Sequence, residues 1–369
     1  MAKKRETRVP QRRAGWFWVV LCVLGCAGIG GGVQSSAGLA ARPQGRERAQ
    51  ERGDLTRLTA QVDRLVAAGQ YAAAIPLAQR VVRLMQQARG ATHPDVARRL
   101  DTLAALYRLQ GQYAQAEPFY RQALAIRQQA LGPTHPDVAR SLNTLAVLAH
   151  AQGQYAQAEP LYRQALAIGQ QALGATHPDV ASSLNNLAAL YYAQGQYTQA
   201  ELLYRQALTI RQQVLGGVHP DVARTLNNLA VLWSAQGQYA EAESLYRQAL
   251  AIGQQALGMT HPDVASSLNN LAVLYQAQGQ YAEAEPLYRQ ALAIRQQTLD
   301  ATHPDVASSL NNLAALLSAQ GQYAQAESLY RQALAIRQQI LGATHPAVVR
   351  IRNTLAALAW VQAQSPAPE

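Results

Sequence analysis

The sequence predicts an all-α solenoid built from stacked antiparallel helix pairs, and three observations carry that prediction. His-Pro occurs at His93, His135, His177, His219, His261, His303 and His345, always 42 residues apart. Gly-Gln-Tyr keeps the same step, from Gly69 to Gly321. Between these markers the apolar residues fall at helical spacing. Seven matches at one period are the signature of a repeat array.

Residues 177–216 show how one unit is read. Pro178 suits the first helical turn, where its missing N–H is not needed. Asp179 lies at the positive end of the helix dipole. Val180, Leu184, Leu187, Ala188 and Tyr191 then form one apolar face. Gly195, tolerant of the left-handed conformation, stops this first helix. Tyr197, Ala200, Tyr204, Ala207, Leu208 and Val214 mark the face of the second, which ends at Leu215-Gly216. The link between the two is short, so they are antiparallel neighbours. Ala188, Ala200 and Ala207 stand where helices approach closely, with Tyr197 and Tyr204 filling wider gaps. No unit buries both of its faces alone, so the units stack.

The array is expected over residues 54–363. A degenerate unit at 54–92 keeps Gly69, Tyr71 and Ala74, six clear units fill 93–344, and a lone capping helix covers 347–363 before a flexible tail at 364–369.

Composition narrows function. The net charge of +10 divides unevenly: residues 1–53 hold ten of the 32 basic and three of the 22 acidic residues, leaving 22 and 19 for the array. Nucleic-acid binders carry clustered Lys and Arg on the fold, so no nucleic-acid partner is expected. Both cysteines, Cys22 and Cys26, precede the array, which therefore has no disulfide framework and no thiolate zinc site.

The segment 1–40 is laid out as a signal peptide or membrane anchor: six basic residues within 3–13, then an uncharged run from Ala14 to Gly32. Three fates stay open. Val23-Leu24-Gly25-Cys26 is similar to a lipobox with Cys26 as the lipidated residue, Ser36 to Ala40 offers a cleavage site, or the segment is kept as an anchor. Residues 41–53 read as a polar linker.

The phrase Leu184-Asn185-Asn186-Leu187-Ala188, with Tyr191, Gly195-Gln196-Tyr197, Ala200-Glu201, Leu203-Tyr204 and Ala207-Leu208, resembles a tetratricopeptide repeat. The 42-residue period and His-Pro-Asp-Val-Ala resemble the kinesin light chain subtype, which is also widespread in bacteria. The resemblance implies a right-handed superhelix whose first helices line a concave groove. It places Asn186, Asn228, Asn270 and Asn312 on that groove, with Asn185, Asn227, Asn269 and Asn311 beside them. An amide both donates and accepts, so such a row can pair with an extended peptide backbone. The alternative is that these amides bond between neighbouring helices and only hold the stack. Kinesin light chains carry a coiled coil before their repeats, and an export-like segment stands in that place here.

Among near-identical units, one column varies and is expected to be exposed: Arg108, His150, Tyr192, Ser234, Gln276 and Ser318. It is expected either to set partner selectivity or to reflect drift on a solvated face. Tyr192, Trp233 and Tyr275 are candidate apolar anchors. The histidines lie one per unit, too far apart to share a metal, so helix capping is their expected role. Glu-to-Arg pairs four apart, such as Glu201 and Arg205, are expected to solvate the outer face. No phosphate loop or catalytic set is present in the sequence, so no catalysis, cofactor, metal or small-molecule substrate is expected. The functional expectation is a scaffold that binds a protein or extended peptide at or outside a bacterial membrane. The alternatives are a cytoplasmic cargo or signalling adaptor and a purely architectural spacer.

Overall fold

The computed structural model describes residues 43–364, with side chains from residue 53 onward. The unit from Glu47 onward is compact in itself and is the one described here. Among the described residues there are fifteen α-helices and no strand. They are α1 (Pro43–Ala67), α2 (Tyr71–Arg89), α3 (Pro94–Leu109), α4 (Tyr113–Leu131), α5 (Pro136–Ala151), α6 (Tyr155–Leu173), α7 (Pro178–Ala193) and α8 (Tyr197–Leu215). The rest are α9 (Pro220–Ala235), α10 (Tyr239–Leu257), α11 (Pro262–Ala277), α12 (Tyr281–Thr298), α13 (Pro304–Ala319), α14 (Tyr323–Leu341) and α15 (Pro346–Gln364).

The two markers punctuate the helices as their chemistry dictates. At α3, α5, α7, α9, α11 and α13 the histidine Nδ1 accepts the N–H of the aspartate two residues on, at 3.0–3.1 Å. This satisfies a donor that the first helical turn leaves orphaned. Gly195 takes φ +77°, the left-handed turn that reverses the chain between α7 and α8. Two boundaries differ from expectation. The stretch expected to be linker is taken up by α1, which begins at Pro43; proline fits a first turn, and Gln44, Arg46, Glu47, Arg48 and Ala49 are compatible with a helix. The final helix runs one residue further at each end than expected.

From α3 to α13 each first helix packs on its own second helix and on the second helix of the unit before, and α15 packs on α14. Ala188, Ala200 and Ala207 are fully buried at these crossings, and Tyr204 fills the gap beside them. Val214 departs from its expected face and is 49% exposed, because nothing covers that end of α8. First helices α5, α7, α9 and α11 also touch one another directly, so they form the inner layer.

The array closes on itself. A Cβ placed on Gly69, in the α1–α2 turn, falls 2.8 Å from Pro304 Cδ and 3.1 Å from His303 Cδ2. A Cβ on Gly111, in the α3–α4 turn, falls 2.8 Å from His345 Nε2. Ile340 packs against the cluster that contains Val62 and Ile126, whereas Val214, in the same column of the repeat, is open. The His303 side chain is 13% exposed, against 39% for His177 and His261. A seam therefore joins the first two units to the last unit and the start of the final helix.

Burial holds the His303 imidazole below its ordinary pKa, opposed by Asp305 and Asp300 and reinforced by Arg295. The α1–α2 turn brings only Tyr71 as a titratable group. His345 is lowered by burial and by Arg337 and Arg350, and its facing turn carries Arg108 and Tyr113. The folded state thus favours neutral rings, so the seam is fully stable above the ordinary histidine value and weakens as pH falls below about 6.5. Small-angle X-ray scattering is predicted to show the radius of gyration rising across that window. His303→Asn with His345→Asn, which keeps a capping acceptor but does not titrate, is predicted to remove the change.

Candidate partner-binding site

The inner wall is the stripe of first-helix side chains that no neighbouring helix covers. In α7 it contains Ser182, Asn186 and Ala193; in α11 it contains Ser266, Asn270, Val273 and Ala277. Small side chains line it in α7 and α11, whereas the position of Ser182 and Ser266 is taken by Arg98 in α3, Arg140 in α5 and Arg224 in α9, each paired with the aspartate three residues before it.

What the asparagines do there is decided one layer deeper, by second-helix residues that sequence reasoning missed. Arg211 on α8 is only 2% exposed. Its guanidinium donates to Thr225 Oγ1 (2.5 Å), the Asp221 carbonyl (3.2 Å) and Ser182 Oγ (3.2 Å), tying α8 to α9 and α7. Arg295 repeats the arrangement with Ser309 (2.7 Å), the Asp305 carbonyl (3.3 Å) and Ser266 (3.1 Å). Arg127 donates to Ser141 (2.6 Å) and pairs with Asp101 (2.6 Å). Arg211 has only neutral oxygens for partners, so burial, and then the nearby Arg224, push its pKa down to about 10.

Between these arginines the same column holds Gly169 and Gly253, and there the hydroxyl of the next unit lacks a guanidinium. Asn143 Nδ2 donates to Ser183 Oγ (2.6 Å) instead, and Asn227 Nδ2 to Ser267 Oγ (3.0 Å). Where an arginine already serves the hydroxyl, the asparagine turns to its neighbour. Asn228 donates to Asn185 Oδ1 (2.9 Å) and Asn312 to Asn269 Oδ1 (2.8 Å). The hydrogen-bond pattern therefore repeats every two units.

The expected eight-membered row divides accordingly. Asn185, Asn227, Asn228, Asn269 and Asn312 are held in bonds between units, and Asn185 is buried. Asn186, Asn270 and Asn311 are half-buried and make no hydrogen bond among the described residues. The continuous ladder is thus corrected to separated rungs, with Asn186 and Asn270 two units apart on the inner wall. The signal in the sequence was the exchange of Arg for Gly at 169 and 253, where Arg140 and Arg224 replace the serine seen at 182, 266 and 308.

The variable column is also corrected. Arg108, His150, Tyr192, Ser234, Gln276 and Ser318 are half-buried and not exposed. His150 meets Tyr155 edge-on at 5.6 Å, Tyr192 lies on Tyr197 at 5.9 Å, and Gln276 accepts the Tyr288 hydroxyl at 2.8 Å. Three members of this column thus face the second helix of their own unit. Tyr275 and Trp233 do not serve as open anchors. Tyr275 is buried between Arg247 (2.7 Å) and Glu243 (2.9 Å), and Trp233 lies under the Arg205 guanidinium at 5.5 Å. Glu159 and Arg163 likewise hold Tyr191, so these ion pairs join units as well as solvating the surface.

Asn185→Ala is predicted to cost about 1–2 kcal/mol in chemical denaturation, since it strands the Asn228 amide. Asn186→Ala is predicted to be nearly neutral, within about 0.5 kcal/mol, as expected of a side chain without an internal partner.

Cys26 and the whole segment 1–40 lie outside the described residues. Among the described residues no helix is long and apolar enough to cross a membrane, and no cluster of His, Cys, Asp or Glu is able to hold a metal.

The family profile described as tetratricopeptide repeat matches seven overlapping stretches: 65–129, 103–171, 137–213, 179–255, 221–297, 263–339 and 305–366. Among solved structures, BtubC (BKLC) from P. vanneervenii is 30% identical, covering 66% of this chain and 94% of that one, with a TM-score of 0.49. The nearly identical TPR-like repeats of a Podosopora anserina protein named as a kinesin light chain are 35% identical, covering 56% and 98%, with a TM-score of 0.45. The apo form of RapI shares the fold at 16% identity and a TM-score of 0.55, covering 79% and 98%. No curated protein sequence matches the chain. Seven repeats, each a helix pair stacked on the next, make the chain a member of the tetratricopeptide-repeat family.

Proposed function

We propose that this protein is a non-catalytic scaffold that holds a peptide or partner protein against the inner wall of its first helices. The observation that carries this reading is the pair Asn186 and Asn270: half-buried amides on the inner layer with no internal partner, while their equivalents in alternate units are bonded. A polar group held rigidly and left with unused donors and acceptors is what recognition of a backbone requires. Around them Ser182, Ala193, Ser266 and Ala277 are small, which lets a chain lie close, while Arg140 and Arg224 on the adjoining first helices add ion-paired charge to the wall.

The proposal extends to location. The basic residues at 3–13 and the uncharged run to Gly32 support an array held at or outside a bacterial membrane, with Cys26 as the lipidation site. The second reading, a cytoplasmic cargo or signalling adaptor, draws on the printed name of the Podosopora anserina protein. Fractionation of cells carrying wild type and Cys26→Ala separates the two. A membrane-bound wild type released by the substitution supports lipid anchoring, and a soluble cytoplasmic wild type supports the adaptor.

The central test is capture from native membrane extract with the full chain and with Asn186→Ala plus Asn270→Ala. The double variant is predicted to keep its helical circular dichroism and to lose about thirtyfold in affinity for whatever the wild type retains, as two backbone-type hydrogen bonds at about 1 kcal/mol each imply. Equal capture by both forms sinks the inner-wall reading.

A further inference from the structure

We infer that the seam encloses the inner wall, so that the partner it admits is a single extended polypeptide segment and not a folded domain. This rests on the inner-wall reading above and narrows it.

Two contacts across the seam share one offset. Gly69 to His303 and Gly111 to His345 are both 234 positions apart, or 5.6 periods of 42. One superhelical turn is therefore complete in fewer than six units, and the edge formed by the Gly-Gln-Tyr turns of the first units lies against the His-Pro edge of the last. Ile340, tucked under the first units, makes the same junction from the second-helix layer. The buried state of Gly69 supports it as well, since the equivalent Gly153, Gly195, Gly237 and Gly279 are all exposed.

The size of the passage follows. Packed helices lie about 8–10 Å apart, so 5.6 inner helices around a circle put their axes at a radius of about 9 Å. A helix with its side chains has a radius of about 5–6 Å; small residues such as Ser182, Asn186, Ala193, Ser266 and Ala277 take less, and the longer Arg98, Arg140 and Arg224 are drawn back along their own helices by ion pairs to Asp95, Asp137 and Asp221. The clear width is thus on the order of 10 Å. An extended chain, about 5 Å by 10 Å in section, fits such a passage. A packed domain does not, and an α-helix of about 10–12 Å fits poorly. The uncommitted amides of Asn186 and Asn270 then face a backbone whose own N–H and C=O groups are unsatisfied, as only an extended segment offers.

The test needs no partner, so it fails independently of the binding reading. In the full chain with Cys22→Ser and Cys26→Ser, a single cysteine is placed on the inner wall by Asn270→Cys, or on an exposed face of α12 by Gln290→Cys. Each is treated with N-ethylmaleimide and with ubiquitin carrying a maleimide. The small reagent is expected to label both positions at rates within about tenfold, while the ubiquitin reagent labels the inner cysteine at least about tenfold more slowly than the outer one, reacting only through the opened minority of molecules. Adding Ile340→Asp, which loosens the seam, is expected to restore most of that rate. Equal labelling of both cysteines by the ubiquitin reagent overturns the enclosure. Failure of N-ethylmaleimide to reach the inner cysteine overturns it too, because no chain then has access.

Discussion

The close approach of helices at alanine is the constraint on which the rest of this structure depends. Ala188 and Ala200 lie in one cluster at the crossing within a unit, Ala207 packs with Val180, Ala181 and Leu184 further along the same pair, and all three are fully buried. With no atoms beyond Cβ, the two helices reach the short end of the usual spacing, and a larger residue there forces them apart. Because every unit repeats these residues, every unit turns by the same small angle relative to its predecessor. That angle, set by sub-side-chain sterics, decides how many units complete a turn. It brings Gly69 against His303, and it determines whether the inner wall is an open groove or a passage. Local packing, global shape and access to the site are therefore one quantity seen at three scales.

A second layer of control operates on the polar groups. A buried hydroxyl at 141, 183, 225, 267 or 309 needs a donor, and the column before it supplies arginine or glycine in alternation. Where Arg211 or Arg295 stands, the hydroxyl is served and the asparagines pair with each other. Where Gly169 or Gly253 stands, an asparagine must serve it, and the rung beyond is left without a partner. One substitution in a second helix thus sets the chemistry presented by a first helix of the next unit. Arg211 shows the cost of the arrangement: a guanidinium removed from water with no carboxylate beside it, kept charged by three neutral oxygens.

Much of this was legible in the sequence because each unit states the same rules. The histidine cap, the proline at the first helical position, the left-handed glycine and the buried Val180, Leu184, Leu187 and Tyr191 all stand where spacing puts them. What spacing does not carry is the direction of side chains across unit boundaries. The column from Arg108 to Ser318 varies, and variation alone suggests a solvated face; in the folded chain several members turn onto tyrosines of their own second helix. An aromatic side chain such as Tyr275 suggests an anchor, yet a glutamate and an arginine of the previous unit close over its hydroxyl. The seam was invisible for a related reason. It joins residues 234 apart through identical turns, and nothing in one turn distinguishes the copy that is covered from the copy that is open.

That identity makes the closure open to direct measurement. Gln-Gly-Gln-Tyr occurs at residues 110–113 and again at 152–155 and 194–197, with matching turn hydrogen bonds and, from the glycine onward, the same sequence-dependent exchange rate. Native-state hydrogen exchange of the full chain compares them without a mutation. Closure predicts that the amides of 110–113 exchange at least about tenfold more slowly than those of 152–155 and 194–197, because opening that turn also requires parting the seam. If the three turns exchange at one rate, the ends of the array do not meet, and the account of an enclosed inner wall is contradicted.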